Sequence, residues 1–366
     1  MLKKFQEALN KRKEAGVLRT LKPKLSGIDF YSNDYLGLAG NEELQSQLLM
    51  KVQANPVLLS GSSGSRLISG NSNITDETEN YIAEQHQYSA ALLFSSGYNA
   101  NLALFSTLPD RHDTIIVDEQ IHRSVHDACK MSHAKKIKFR HNDLEDLESI
   151  LKKQNGSSYI AIESLYSMDG DFAPLQEIAT LAKKYNSALI VDEAHAFGVF
   201  GYGLIEKHQL QNDVFAALMT YGKALGAHGA AVLCNETVKC YLVNFASPFI
   251  YTTAAQDFLW ISIKNGYEFL KLKPELSKKL HQNIKIFRDQ NIETISSEVS
   301  PIQAIMVPDN HQLRNLQITL SCNGFLTYAV HSPTVKTGAE RLRICLHSFN
   351  TEEDIAGLTG IIKEFI

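Results

Sequence analysis

The sequence lacks a C-x-x-C pair, and its five cysteines are scattered and odd in number: Cys129, Cys234, Cys240, Cys322 and Cys345. That spacing argues against a disulfide framework or a zinc site and suits reduced thiols, so no metal is expected. It also lacks an excess of positive charge, with 36 Lys and Arg against 40 Asp and Glu and a net charge of -4. A nucleic-acid partner, which needs a basic stripe, is therefore not expected. No apolar run approaches the roughly 18 residues that a membrane-spanning helix requires, so no membrane partner is expected either. The opening MLKKFQEALNKRKEAG mixes both charges and has no apolar h-region. It does not read as a secretory signal, and a cytoplasmic location is the default. Only 9 of the residues are proline and 44% are apolar, which excludes collagenous and disordered chains.

What is present is an alternation. With 366 residues and roughly 100–200 per domain, two or three domains are expected. Residues 1–40 read as an N-terminal arm, with Leu2, Phe5 and Leu9 at helical spacing. From 41 to 245, apolar β-type runs alternate with helical patterns: 89–94, 113–118, 135–139, 159–164, 187–193 and 229–234. Short buried runs separated by helices imply an α/β fold, a mostly parallel sheet sandwiched by helices. Residues 246–366 read as a smaller C-terminal α+β domain, opened by one long helical stretch from about 254 to 280. Ligands of such sheets bind beyond the carboxyl ends of the strands, and five unusual clusters fall there.

In SALIVDEAHAFGVFG, 187–201, a hydrophobic strand ends in Asp192 and His195 follows on the turn. A buried acid there can hold a cationic ring nitrogen, and the histidine can donate to a phenolate-like oxygen. The plain alternative is a strand-end acid capping the next turn. The magnesium-binding reading of D-E-A-H fails for want of a P-loop. In ALMTYGKALGAHGAAVLC, 217–234, Lys223 lies between glycines and apolar residues. Desolvation favours an uncharged amine able to form a Schiff base, whereas a lysine snorkelling from a loop is the plain alternative. In LLFSSGYNANLALFSTL, 92–108, a strand runs through Ser95, Ser96, Gly97 and Tyr98 into a helical pattern, a cup of free amides suited to a phosphate or simply a turn. His122 follows the strand-end Asp118, placed to stack on an aromatic ring or to serve as an ordinary loop residue. Ser167, Asp169 and Gly170 end another strand, lining the same crevice or making a turn. A Schiff-base lysine, a ring-nitrogen acid, an oxygen donor, a stacking ring and a phosphate cup together are what pyridoxal 5′-phosphate requires.

At this point a family resemblance becomes visible. SNDYLGL (32–38), GSSGSRLISGN (61–71), SSGYNAN (95–101), IHRSVHD (121–127), SLYSMDGD (164–171), VDEAHAFGVFG (191–201), TYGKALGAHGA (220–230), FIYTTA (249–254) and PTVKTGAERLRICLHS (333–348) run nearly end to end. The chain resembles the α-oxoamine synthases, fold-type-I pyridoxal-phosphate enzymes. The resemblance implies that Lys223 is the cofactor-linking lysine and the acid/base for the substrate α-proton. It further implies that Asp192 pairs with the pyridine nitrogen, His195 with the phenolic oxygen, and that His122 stacks on the ring. Gly97 and Tyr98 would hold the phosphate, with Ser167 and Thr220 completing the cofactor shell. Thr252 and Thr253 would reach the phosphate of a neighbouring subunit, implying a homodimer with shared sites. Arg343 would clamp the amino-acid carboxylate, and Arg19, Asn33 and Thr334 match substrate-contacting positions.

The implied reaction joins an amino acid to an acyl thioester with loss of carbon dioxide and thiol. Arg19, the DEAH turn and the length fit the branch that uses L-alanine and a pimeloyl thioester, on coenzyme A or an acyl carrier protein, in biotin synthesis. Two departures stand out: Ala329-Val330-His331-Ser332 before PTV, where that branch often has arginine, and a shortened loop at Tyr202-Gly203-Leu204. Another α-oxoamine synthase, such as a 2-amino-3-ketobutyrate ligase or a soluble long-chain amino-ketone synthase, is the alternative. A pyridoxal-phosphate aminotransferase and a non-catalytic binding subunit stand further off, the latter because Lys223 and Asp192 are both present.

Overall fold

The computed structural model describes residues 1–14, 18–21, 25–332 and 335–366. Two compact units result. One holds Met1–Ser32, Met168–Gly170 and Leu280–Ile366, and the other holds Asn33–Ser167 and Asp171–Lys279. Strands are numbered along the chain as β1 Ile28–Asp29, β2 Ala90–Phe94, β3 Thr114–Asp118, β4 Lys135–Phe139, β5 Ser158–Glu163, β6 Ala188–Asp192, β7 Ala216–Thr220, β8 Ala230–Cys234, β9 Ile302–Met306, β10 Phe325–Leu326, β11 Tyr328–Val330 and β12 Arg341–Cys345.

In the larger unit, seven strands form one sheet in the order β2-β8-β7-β6-β5-β3-β4. Strand β8 runs antiparallel to both neighbours and the other pairs are parallel. The apolar strings AALLF, TIIVD, AALMT and AAVLC are buried along their whole length, as expected of strands covered on both faces. Ile115, Val117, Ala161, Ile190, Leu218 and Val232 pack with Ala100, Ala103, Leu104 and Phe105 of the helix Gly97–Thr107. The run KKIKF differs from that expectation. As β4 it closes the sheet, and its three lysines are exposed, charges that protect a free edge. Because β3, β5, β6 and β7 are parallel, their carboxyl ends bring Asp118, Glu163, Asp192 and Thr220 to one edge of the sheet.

The smaller unit has an antiparallel sheet β11-β12-β9 and the parallel pair β1-β10. Its last helix, Glu352–Phe365, opens with a reciprocal capping box between Thr351 and Asp354. The arm helix Leu2–Glu14 forms where Leu2, Phe5 and Leu9 suggested, yet buries none of its residues.

The long helix expected over 254–280 is two helices, Asp257–Leu272 and Pro274–Arg288. Pro274 cannot donate an amide and restricts Lys273, whose φ of -125° leaves the helical region. The division between units also falls later than residue 245. The helix Asp257–Leu272 packs on Asn73–Gln85 and Glu42–Ala54, and its Tyr267 hydroxyl lies 2.8 Å from His86 Nε2, so it belongs with the larger unit.

Candidate active site

At that sheet edge a cavity of about 310 Å³ opens within the larger unit. Its lining includes Asn33, Gly97, Tyr98, His122, Asp192, His195, Thr220 and Lys223. Residues far apart in sequence meet because each sits at the end of a strand or on the turn that follows.

Asp192 ends β6 and is buried. Its Oδ1 accepts the Ala194 amide at 3.0 Å and its Oδ2 accepts the Asn101 side-chain amide at 3.1 Å. It forms no ion pair among the described residues. A buried carboxylate held by neutral donors alone suits a cationic partner supplied from outside the chain. The Asn101 amide also donates to Ser124 Oγ at 3.0 Å, and that hydroxyl lies 2.8 Å from His122 Nδ1. The Ser124 amide donates to the same nitrogen at 3.3 Å. His122 therefore presents Nδ1 as an acceptor and carries its proton on Nε2. Burial lowers the His122 pKa, with Asp192 raising and Lys223 lowering it, so the ring is neutral and flat at the mouth of β3. His195 is buried, and its Nδ1 lies 2.7 Å from the Tyr35 hydroxyl.

Lys223 follows β7 on a tight turn, in which the Gly226 amide donates to the Lys223 carbonyl at 2.8 Å and the Ala227 amide to the Tyr221 carbonyl at 2.8 Å. Gly226 has φ +63°, and a Cβ there would stand 2.2 Å from the Ala39 nitrogen, so this turn needs glycine. Lys223 is half-buried and its Nζ donates to Thr220 Oγ1 at 3.3 Å.

The helix Gly97–Thr107 starts at the cavity. Ser96 caps it by accepting the Asn99 amide, which leaves the Gly97 and Tyr98 amides with no hydrogen bond among the described residues. A Cβ on Gly97 would lie 2.6 Å from Thr220 Cγ2, so the helix end approaches β7 as only glycine permits. Two free amides at the positive end of an eleven-residue helix form an anion cradle. Amine, buried acid, flat ring and anion cradle around one cavity fit pyridoxal 5′-phosphate.

Among the described residues, the cavity lining leaves out Ser167, Thr252 and Thr253. Ser167 lies on the loop after β5, its amide donating to Glu163 Oε2 at 3.3 Å. Thr252 and Thr253 line a separate recess with Arg66 and Phe249. Arg343 lies on β12 in the smaller unit, buried, with Nη1 2.9 Å from Cys345 Sγ. Arg19 is exposed in the same unit, and Thr334 lies outside the described residues.

Tyr35, Asn101 and Glu163 escaped the sequence reading. Glu163 pairs in register with Asp192 and is buried, and burial together with the Asp192 charge pushes its carboxyl up to about 8. The only available signal for Asn101 was its place inside SSGYNAN, and Tyr35's was its place inside SNDYLGL. Neither motif discloses which through-space partner is met.

Residues 26–361 match the model of the aminotransferase class I and II family. The chain belongs to that family. The 8-amino-7-oxononanoate synthase of Emericella nidulans is 37% identical over 99% of this chain and 95% of the relative. That of Marinobacter nauticus is 34% identical over 97% and 94%. The solved 8-amino-7-oxononanoate synthase of Francisella tularensis superposes with a TM-score of 0.80 at 31% identity, covering 93% and 97% of the two chains. The serine palmitoyltransferase of Sphingomonas wittichii gives a TM-score of 0.89 at 26% identity over 100% and 98%. The resemblance to α-oxoamine synthases and the fold expected from it are borne out. This is a pyridoxal-phosphate enzyme of the acyltransferase type.

Proposed function

We propose that the chain condenses L-alanine with a pimeloyl thioester, releasing carbon dioxide and the free thiol and giving 8-amino-7-oxononanoate for biotin synthesis. The observation that carries this reading is the meeting of Lys223, Asp192, His195 and His122 in one cavity beside the Gly97–Tyr98 cradle, together with relatives of that activity over the full chain.

When bound, pyridoxal 5′-phosphate supplies an electron sink for charge developing at the amino-acid α-carbon. The Gly97 and Tyr98 amides hold its phosphate, with the Thr220 hydroxyl beside them. Asp192 keeps the pyridine nitrogen protonated, because a buried carboxylate without a cation of its own stabilises positive charge there. His195 would bond the phenolic oxygen, His122 would offer its neutral ring to the cofactor, and Ser167 would complete the shell. Lys223 takes the proton from the α-carbon and returns it after carboxylate loss, a task for an amine desolvated by its half-buried turn. Arg343 binds the amino-acid carboxylate as a two-pronged donor, with Asn33, Arg19 and Thr334 as further substrate contacts.

The active form we propose is a homodimer in the cytoplasm, in which Thr252 and Thr253 serve the partner's phosphate site. Support comes from the surface next to them. Tyr251 is 83% exposed and Ile68 85%, and the Ser65–Thr253 bridge and the Ala254 amide on the Gly64 carbonyl tie together the two segments that carry these apolar side chains. Apolar surface grouped in this way marks a partner face. Among the described residues the cysteines form no disulfide, which suits a reducing compartment. Among the described residues no helix is long and apolar enough to cross a membrane.

The test is an incubation with alanine, glycine or serine against a panel of acyl thioesters on coenzyme A and on acyl carrier protein. Carbon dioxide and thiol released in equal amounts with alanine and a pimeloyl thioester support the reading. Turnover confined to another pair assigns the chain to a different branch.

A further inference from the structure

His141 is neither part of the cavity nor an ordinary surface residue. It follows β4, and its side chain is only 16% exposed. Nδ1 lies 2.9 Å from Asp118 Oδ1 and Nε2 lies 2.7 Å from Asp171 Oδ2, so both ring nitrogens are engaged by carboxylates. The ring meets Tyr166 edge-on with centroids 4.4 Å apart. Asn142, at φ +54°, repeats the link: its amide donates to Asp118 Oδ2 at 3.0 Å, and its side chain donates to Asp171 Oδ2 at 2.8 Å and to the Phe172 carbonyl at 3.1 Å.

The two carboxylates belong to two different loops. Asp118 ends β3 and shapes the turn into His122: its Oδ1 accepts the Gln120 amide at 2.8 Å and its carbonyl accepts the Ile121 amide at 3.2 Å. Asp171 closes the loop that bears Ser167: its carbonyl accepts the Tyr166 amide at 2.9 Å, next to the Leu165–Phe172 bridge. We propose that His141 is a positioning residue that ties the turn presenting His122 to the loop presenting Ser167, holding both at the spacing the cofactor needs. The proposal rests on the reading of those two residues as cofactor contacts.

The charges agree with the geometry. Burial alone would lower the imidazole pKa, but Asp118 and Asp171 outweigh it and raise it to about 9. The titratable groups facing the ring are Asp118, Asp171 and Tyr166, with Glu119 near its backbone amide, and the Asn142 side-chain nitrogen lies 3.3 Å from Nε2. At neutral pH both nitrogens therefore donate, which a neutral imidazole cannot do.

The experiment compares His141→Ala and His141→Gln with His122→Ala, Ser167→Ala and the combined variants. It reads the dissociation constant of pyridoxal 5′-phosphate, the kcat and KM of the loaded enzyme, and amide hydrogen exchange over 164–173 and 119–122 in the cofactor-free protein. His141→Ala is expected to weaken cofactor binding roughly tenfold or more, the scale of a lost buried charge-assisted hydrogen bond, and to speed exchange in both loops. His141→Gln, able to keep one of the two bonds, is expected to recover part of the loss. In the His122→Ala/Ser167→Ala background, His141→Ala is expected to add little, because the contacts it acts through are gone. An equal effect in both backgrounds overturns the proposal, as does unchanged affinity in His141→Ala while His122→Ala and Ser167→Ala weaken binding. If those two variants bind cofactor normally, the reading of the site itself falls and the proposal with it.

Discussion

The Tyr35 hydroxyl lies 2.7 Å from His195 Nδ1, both groups buried, and the same hydroxyl reaches Asn33 Oδ1 at 3.2 Å. When Tyr35 donates to Nδ1, the histidine proton sits on Nε2, the nitrogen that the proposed function sets against the phenolic oxygen of the cofactor. Removing that hydroxyl takes away the donor that favours the Nε2-protonated tautomer. Tyr35→Phe is expected to lower kcat by about tenfold, in line with a net hydrogen-bond worth of about 1–1.5 kcal/mol. Steady-state kinetics check the rate, and the position of the cofactor absorption band checks the cause. An unchanged band would disconnect Tyr35 from the oxygen.

Asp192 is held by Ala194 and Asn101 without a cation of its own. Asp192→Asn keeps the shape but, in the role proposed for Asp192, would not sustain a protonated pyridine nitrogen. It is expected to retain bound cofactor and to lose turnover on the order of 10²-fold or more, as removal of a preorganised electrostatic group does. Near-normal kcat in that variant would contradict the role.

Glu163 predicts a pH effect on stability. Its carboxyl is raised in the fold to about 8 against an ordinary 4.5, first by burial and then by Asp192. Between those values the folded state binds a proton that the unfolded state has released. The contribution is full below about 4.5 and is lost as pH rises through about 8. Glu163→Gln removes the titration, so the melting temperature of the cofactor-free protein should gain more at pH 9 than at pH 5.5, relative to the parent. Parallel melting curves across that range would refute the assignment.

A methyl group at Gly97 would stand 2.6 Å from Thr220 Cγ2. Gly97→Ala is expected to cost about 1–3 kcal/mol by overpacking and to weaken cofactor binding by pushing the helix end away from the cavity. Thr220→Ser keeps the hydroxyl and deletes the obstructing methyl, so the double variant should recover much of both losses. Denaturant unfolding and cofactor titration measure the two separately.

Much of the candidate site is legible before folding because strand-end chemistry is local. Asp192 and His195 share one turn, Lys223 sits among its own glycines, and Ser96, Gly97 and Tyr98 declare a capped helix start. Short, mostly buried apolar runs likewise announce the sheet, whereas KKIKF departs, because position at an edge is decided by strand order rather than by composition. The split at Lys273 was readable from Pro274, yet the helical periodicity on both sides concealed it.

By itself the order of residues determines the element types, the acid at the end of β6 and the amine after β7, since these follow from hydrophobic period, turn residues and desolvation within a few positions. Tertiary structure alone decides that Asn101 reaches Asp192 across 91 positions, that Tyr35 reaches His195 across 160, and that His141 joins Asp118 to Asp171. The physical reason is that hydrogen bonds are set by distances of about 3 Å, and such distances between remote residues are fixed only when the parallel sheet brings its strand ends side by side.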